Sequence, residues 1–84
     1  MNARQLANFY AWLISQKTRK DEVGRLALEA SRDKTFPRAM RRLNLFCHYY
    51  ESEPVNREAV KLAHAEWRKL RVQARMDSLM KDQQ

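Results

Sequence analysis

The chain has 84 residues, a formal net charge of +7, one cysteine and one glycine. That length makes one small domain, burying roughly 60–65% of its unfolded surface, and a lone cysteine excludes an intrachain disulfide framework, so packing must hold the fold. One glycine excludes a glycine-rich phosphate loop, no apolar run reaches membrane length, and a basic chain without a secretory signal is expected in a reduced, cytoplasmic setting, drawn to polyanions.

Abundant Ala, Leu, Arg, Lys and Glu favour helix throughout. The first helix is expected over about Ala3 to Gln16, where Leu6, Phe9, Tyr10 and Leu13 share one face and Trp12 falls on its flank. Lys17, Arg19 and Lys20 then crowd the C-terminal end, where cations suit the helix dipole. Asp21 is a good N-cap for a second helix with Glu22 in its first turn. Val23, Leu26, Ala27 and Ala30 form its apolar face, and the helix should end near Arg32 or Asp33. Gly24 costs about 1 kcal/mol relative to Ala inside a helix, which points to close approach of a neighbouring helix.

Thr35-Phe36-Pro37 reads as a connector. Pro37 pushes Phe36 out of helical geometry, making Phe36 a plug into the core, and can itself open the next helix. That third helix is expected over about Arg38 to Glu51, with Leu43, Phe46, Cys47 and Tyr50 inward and Met40, Leu45 and Tyr49 at the boundary. Ser52-Glu53-Pro54 breaks the chain, and Asn56 can cap a last helix. Val60, Ala63, Trp67, Leu70 and Ala74 give that helix one face; Val72, Met76, Leu79 and Met80 give it a second, rotated stripe. The chain thus divides into a helical domain over 1–71 and an extension over 72–84, helical or frayed.

Phe9-Tyr10-x-Trp12-Leu13, Val23 with Leu26-Ala27, Asp33-x-x-Phe36-Pro37-Arg38, Tyr50-Glu51 and Glu66-Trp67 occur in this order between Asn8 and Leu70. In these blocks the chain resembles the YozE-like family, small bacterial helical proteins similar in fold to the sterile alpha motif. The resemblance implies an all-α, compact four- to five-helix bundle, here with an extended C-terminal helix. It implies no particular activity, since SAM-like folds serve in protein, DNA and RNA binding. The chain departs from the family pattern in opening its third helix with Arg38, Arg41 and Arg42, and in placing Leu70 where an aromatic residue is common.

Little in the sequence points to catalysis. Cys47 and His48 are adjacent, so on a helix they diverge by about 100° and cannot easily share a metal. No metal-ligand spacing or nucleophile elbow occurs, and Cys47 reads as a small buried hydrophobe. The expectation is a non-enzymatic protein with neither cofactor nor metal. Most aromatic rings are needed for the core, with Trp12 and Tyr49 the better surface candidates.

Arg38, Arg41 and Arg42, at i, i+3 and i+4, would share one face at the start of the third helix. Cations are poorly placed there, because a helix N-terminus is already positive. A bound phosphate would account for them. Lys17, Arg19, Lys20 and Lys34 lie in connectors that could extend the same surface. Arg68, Lys69, Arg71 and Arg75 read as a solvated face. The leading expectation is therefore a module that contacts DNA phosphates with little sequence specificity. The competing one is a protein–protein adaptor or inhibitor, of mobile-element or phage type, binding an acidic surface on a larger partner. Val72, Met76, Leu79 and Met80 would be its partner-binding face, open also to a second copy of the chain.

Overall fold

The computed structural model describes residues 3–82, with side chains from Gln5 to Met80. Five helices follow one another: α1 (Ala3–Ala7), α2 (Phe9–Ile14), α3 (Glu22–Arg32), α4 (Leu43–Tyr49) and α5 (Pro54–Asp82). No strand occurs among the described residues. The 29-residue α5 is the spine, about 43 Å long at 1.5 Å per residue. The other four helices pack against its N-terminal part or against one another.

The expected single first helix is two. Asn8 adopts extended backbone (φ −125°, ψ 122°), and its side-chain oxygen accepts the Ala11 N–H at 3.0 Å. An asparagine offers the backbone this alternative to a helical bond, and here it caps α2. The break re-aims α2. Phe9, Trp12 and Leu13 turn fully inward while Tyr10 is only half-buried. Trp12 is therefore a core residue and not the flank residue its spacing in one long helix suggests.

The second element matches its sequence signals closely. The Asp21 carboxylate accepts the Gly24 N–H at 2.9 Å, capping α3. That bond, followed by the Arg19 guanidinium, holds the Asp21 carboxyl below the usual range. Val23, Leu26, Ala27 and Ala30 are buried as expected. The crowding at Gly24 comes from a different source than a neighbouring helix. A Cβ there would lie 1.9 Å from the carbonyl oxygen of Arg19, in the turn that leads into α3.

Between α3 and α4, Asp33 accepts hydrogen bonds from the Thr35 N–H (2.9 Å), the Thr35 hydroxyl (2.7 Å) and the Tyr49 hydroxyl. Tyr49 thus anchors the connector and is not a free surface ring. Phe36 is 3% exposed and stacks on Phe46 at 5.7 Å, so it is the core plug that its place before proline implies.

The third helix of the sequence reading begins five residues late. Residues 38–42 form a turn followed by extended chain, and Arg42 occupies the N-cap position (φ −86°, ψ 132°) without a side-chain cap. Two causes are visible. Three cations near the first turn oppose the helix dipole, and no capping residue stands among them. The Arg41 carbonyl, which a longer helix would use internally, instead accepts a hydrogen bond from His64 Nε2 at 2.7 Å. Pro37 accordingly precedes a loop and does not open a helix. Within α4, Phe46 is buried and Leu43 and Cys47 are half-buried; Tyr50 at its end is buried.

Phe9 is the hub of the core, with ring centroids of Phe46, Trp67 and His64 at 4.8, 5.4 and 5.5 Å. Each such buried ring contributes about 2–3 kcal/mol by leaving water. Trp67 Nε1–H also donates to the Leu6 carbonyl at 2.8 Å, tying α1 to α5. On α5, Ala59, Val60, Ala63, His64 and Trp67 are buried and Leu70 is half-buried, whereas residues 71–80, Ala74 among them, are all exposed. Residues 72–82 therefore continue α5 away from the bundle and do not fold back, and the last two residues of the expected extension lie outside the described residues. The long dimension of the molecule, 49 Å against 25 and 21 Å, is this helix.

Candidate functional site

The extended chain before α4 lies beside the middle of α5. Arg41 and Arg42 line one wall of a shallow groove of about 370 Å³, and Arg68 and Arg71 line the other. Leu43, Asn44, His64 and Trp67 complete it. Arg68, Arg71 and Arg75, at i, i+3 and i+7, share one flank of α5. A second shallow depression formed by Arg68, Arg71, Val72 and Arg75 continues the line toward the C-terminus.

Each part of the groove has a local cause. His64 is buried at 5% exposure among Phe9, Phe46 and Trp67. Because its Nε2 faces a carbonyl oxygen, that nitrogen carries the proton and donates. The bond pins the Arg41 backbone to α5 and so fixes how far the loop arginines stand from Arg68 and Arg71. The Arg71 guanidinium rests 4.8 Å from the centroid of the Trp67 ring, which restrains its stem while leaving its donors free. Arg38 makes a similar contact with Tyr10, at 5.1 Å. Among the described residues, none of Arg38, Arg41, Arg42, Arg68, Arg71 and Arg75 forms an ion pair with a carboxylate.

The connector cations fall elsewhere. Lys17, Arg19 and Lys20 line a separate depression with Asp21, Glu22 and Arg25. Arg19 bonds to Asp21 at 2.6 Å and to Glu66 at 2.8 Å, closing the turn onto α5. Glu66 lies about 160° around α5 from Arg68, so this cluster and the arginine groove sit on opposite flanks. Lys34 stands exposed in the turn between Asp33 and Phe36. The structure thus joins Arg41 and Arg42 to Arg68, Arg71 and Arg75, which the sequence reading assigned to a solvated face. The signal that could have joined them was the i, i+3, i+7 spacing of the second run.

Val72, Met76, Leu79 and Met80 are 62%, 53%, 54% and 66% exposed, a continuous apolar line on the projecting part of α5. No group of three His, Cys, Asp or Glu side chains that could hold a metal occurs among the described residues. No described helix is long and apolar enough to cross a membrane.

Comparison with known proteins gives one match. A family model described as the YozE SAM-like fold matches residues 8–70. That span takes in both walls of the groove up to Leu70 and leaves Arg71, Arg75 and the apolar line outside it. No curated protein and no solved structure matches the chain.

Proposed function

We propose that this chain, which belongs to the YozE SAM-like fold family, is a non-enzymatic module that binds nucleic acid through backbone phosphates, duplex DNA first, with little sequence preference. The observation that carries the reading is the convergence of Arg41 and Arg42 with Arg68 and Arg71 across one groove without a paired carboxylate among the described residues. A merely solvated face would intersperse the two signs, as the Arg19–Asp21–Glu66 cluster does. Guanidinium forks at this density repel one another and suit a polyanion.

The aromatic residues support a duplex over a single strand. Phe9, Trp12, Phe36, Phe46, Tyr50 and Trp67 are buried, and Tyr10 and Tyr49 are half-buried. Non-specific single-strand binders need exposed rings on which bases stack. This surface offers phosphate contacts without such a platform.

The test is a titration with random-sequence duplex and single-stranded DNA from low to physiological salt. Four phosphate contacts would give a slope of log K against log salt near about −3.6. Arg41→Ala/Arg42→Ala and Arg68→Ala/Arg71→Ala should each flatten it by about two units. A slope unchanged in both variants would remove the groove from the account. Absence of binding at low salt would favour the adaptor reading, whose supporting observation is the exposed line from Val72 to Met80.

A further inference from the structure

The outward face of α5 carries a second pattern beside the arginine groove, with Arg68 and Arg75 standing between the two. Leu62, Ala65, Lys69, Val72, Met76 and Leu79 follow one another in alternating steps of three and four residues. This is the a/d spacing of a coiled coil, with Leu62, Lys69 and Met76 at a and Ala65, Val72 and Leu79 at d. All of these positions are exposed. The buried Ala63 lies nine residues before Val72, so about 180° around the helix. A partner helix can therefore approach the seam from Ala65 onward opposite the buried face, while at Leu62 it would lie beside the turn that carries Arg19, Asp21 and Glu22.

We propose that this seam joins two copies of the chain as a parallel, two-stranded coiled coil. The flanking charges select the occupant and its direction. One flank carries Lys61, Arg68 and Arg75, and the other Glu66, Gln73 and Met80. In a parallel pair each residue of the first flank meets the residue five positions on in the other copy. Lys61 then faces Glu66, whose carboxylate it would share with Arg19 of that copy, Arg68 faces Gln73, and Arg75 lays its stem over Met80. No like charges oppose one another in these flanking pairs. An antiparallel pair would set the basic flank against itself. Lys69 is the single polar a residue, a choice that weakens such a dimer and fixes its register; its aliphatic stem packs while its ammonium reaches the edge. The seam is short and contains Ala65, so self-association is expected in the range of roughly tens to hundreds of micromolar.

Sedimentation from about 1 µM to about 1 mM protein without nucleic acid tests this. The expected result is a monomer–dimer equilibrium that stops at two. Val72→Glu/Met76→Glu should weaken it at least tenfold with an unchanged circular dichroism melt at low concentration, since both side chains are exposed. Lys69→Leu should strengthen it about tenfold. In a Cys47→Ala background, Leu79→Cys should form a disulfide-linked dimer under mild oxidation, because equivalent d residues face each other only in the parallel arrangement. A monomer throughout the range, a trimer or larger species, or a dimer that Leu79→Cys does not cross-link would overturn the proposal.

Discussion

His64 ties the Arg41 backbone to the core and so positions the loop arginines, and replacing it separates its two roles. His64→Phe keeps a ring among Phe9, Phe46 and Trp67 and removes the donor to the Arg41 carbonyl. That oxygen sits on an exposed residue and can be rehydrated, so the cost belongs at the low end for a lost hydrogen bond, about 1 kcal/mol. For a domain of this size that lowers the melting temperature by about 4–8 °C. His64→Ala also empties a site that is 5% exposed, and should cost about 3 kcal/mol. Urea denaturation followed by circular dichroism measures both. The phenylalanine variant should also lose duplex affinity at low salt, because Arg41 and Arg42 are no longer held against Arg68 and Arg71. Equal loss of stability in the two variants would mean that the hydrogen bond alone matters and the ring contributes nothing, no loss in His64→Phe would mean that the ring alone matters, and full duplex affinity in His64→Phe would refute the positioning role.

The remaining predictions concern the supports of the fold. Gly24→Ala places a Cβ 1.9 Å from the Arg19 carbonyl; because the clash is with backbone, the turn must move, and denaturation should show a loss of about 2–4 kcal/mol. Arg19→Met removes half-exposed ion pairs to Asp21 and Glu66, so it should cost no more than about 1 kcal/mol and leave the salt slope of duplex binding unchanged. Asp33 is held below the usual carboxyl range by the Tyr49 hydroxyl first and then by Thr35. A lowered folded-state pKa stabilises above the unfolded value, near about 4, and that stability is lost as pH falls through the folded value. Asp33→Asn should therefore flatten the acid limb of a stability–pH profile, and an unaltered limb would place the acid sensitivity elsewhere. Burial pushes the Tyr50 hydroxyl far above the ordinary tyrosine range. Its neutral form is favoured in the fold, so stability should fall as pH rises past about 10, and Tyr50→Phe should remove part of that fall.

Much of the architecture was legible because it rests on local chemistry. Asp21 caps α3, Phe36 enters the core ahead of proline, and Trp67 faces inward, each as its immediate neighbours in sequence require. The errors arose where a side chain acted against periodicity or across the chain. Asn8 broke a helix whose apolar spacing ran unbroken, and so turned Trp12 inward. His64, 23 residues from Arg41, took the carbonyl that a longer third helix would have used. The same long-range bond explains why the groove was only half visible. Spacing alone puts Arg41 and Arg42 on one helical face, yet they share an extended loop, and what makes them a site is α5 beside them. That proximity is tertiary, and spacing along the chain does not contain it.

Backbone amide shifts, followed by NMR as a random-sequence duplex is titrated at low salt, test the central claim most directly. The account predicts perturbations concentrated at residues 41–44, at His64 and along 68–75, saturating together and reversed by added salt. Perturbations centred instead on Lys17, Lys20 and Arg25 would contradict it and move the interface to the opposite flank of α5.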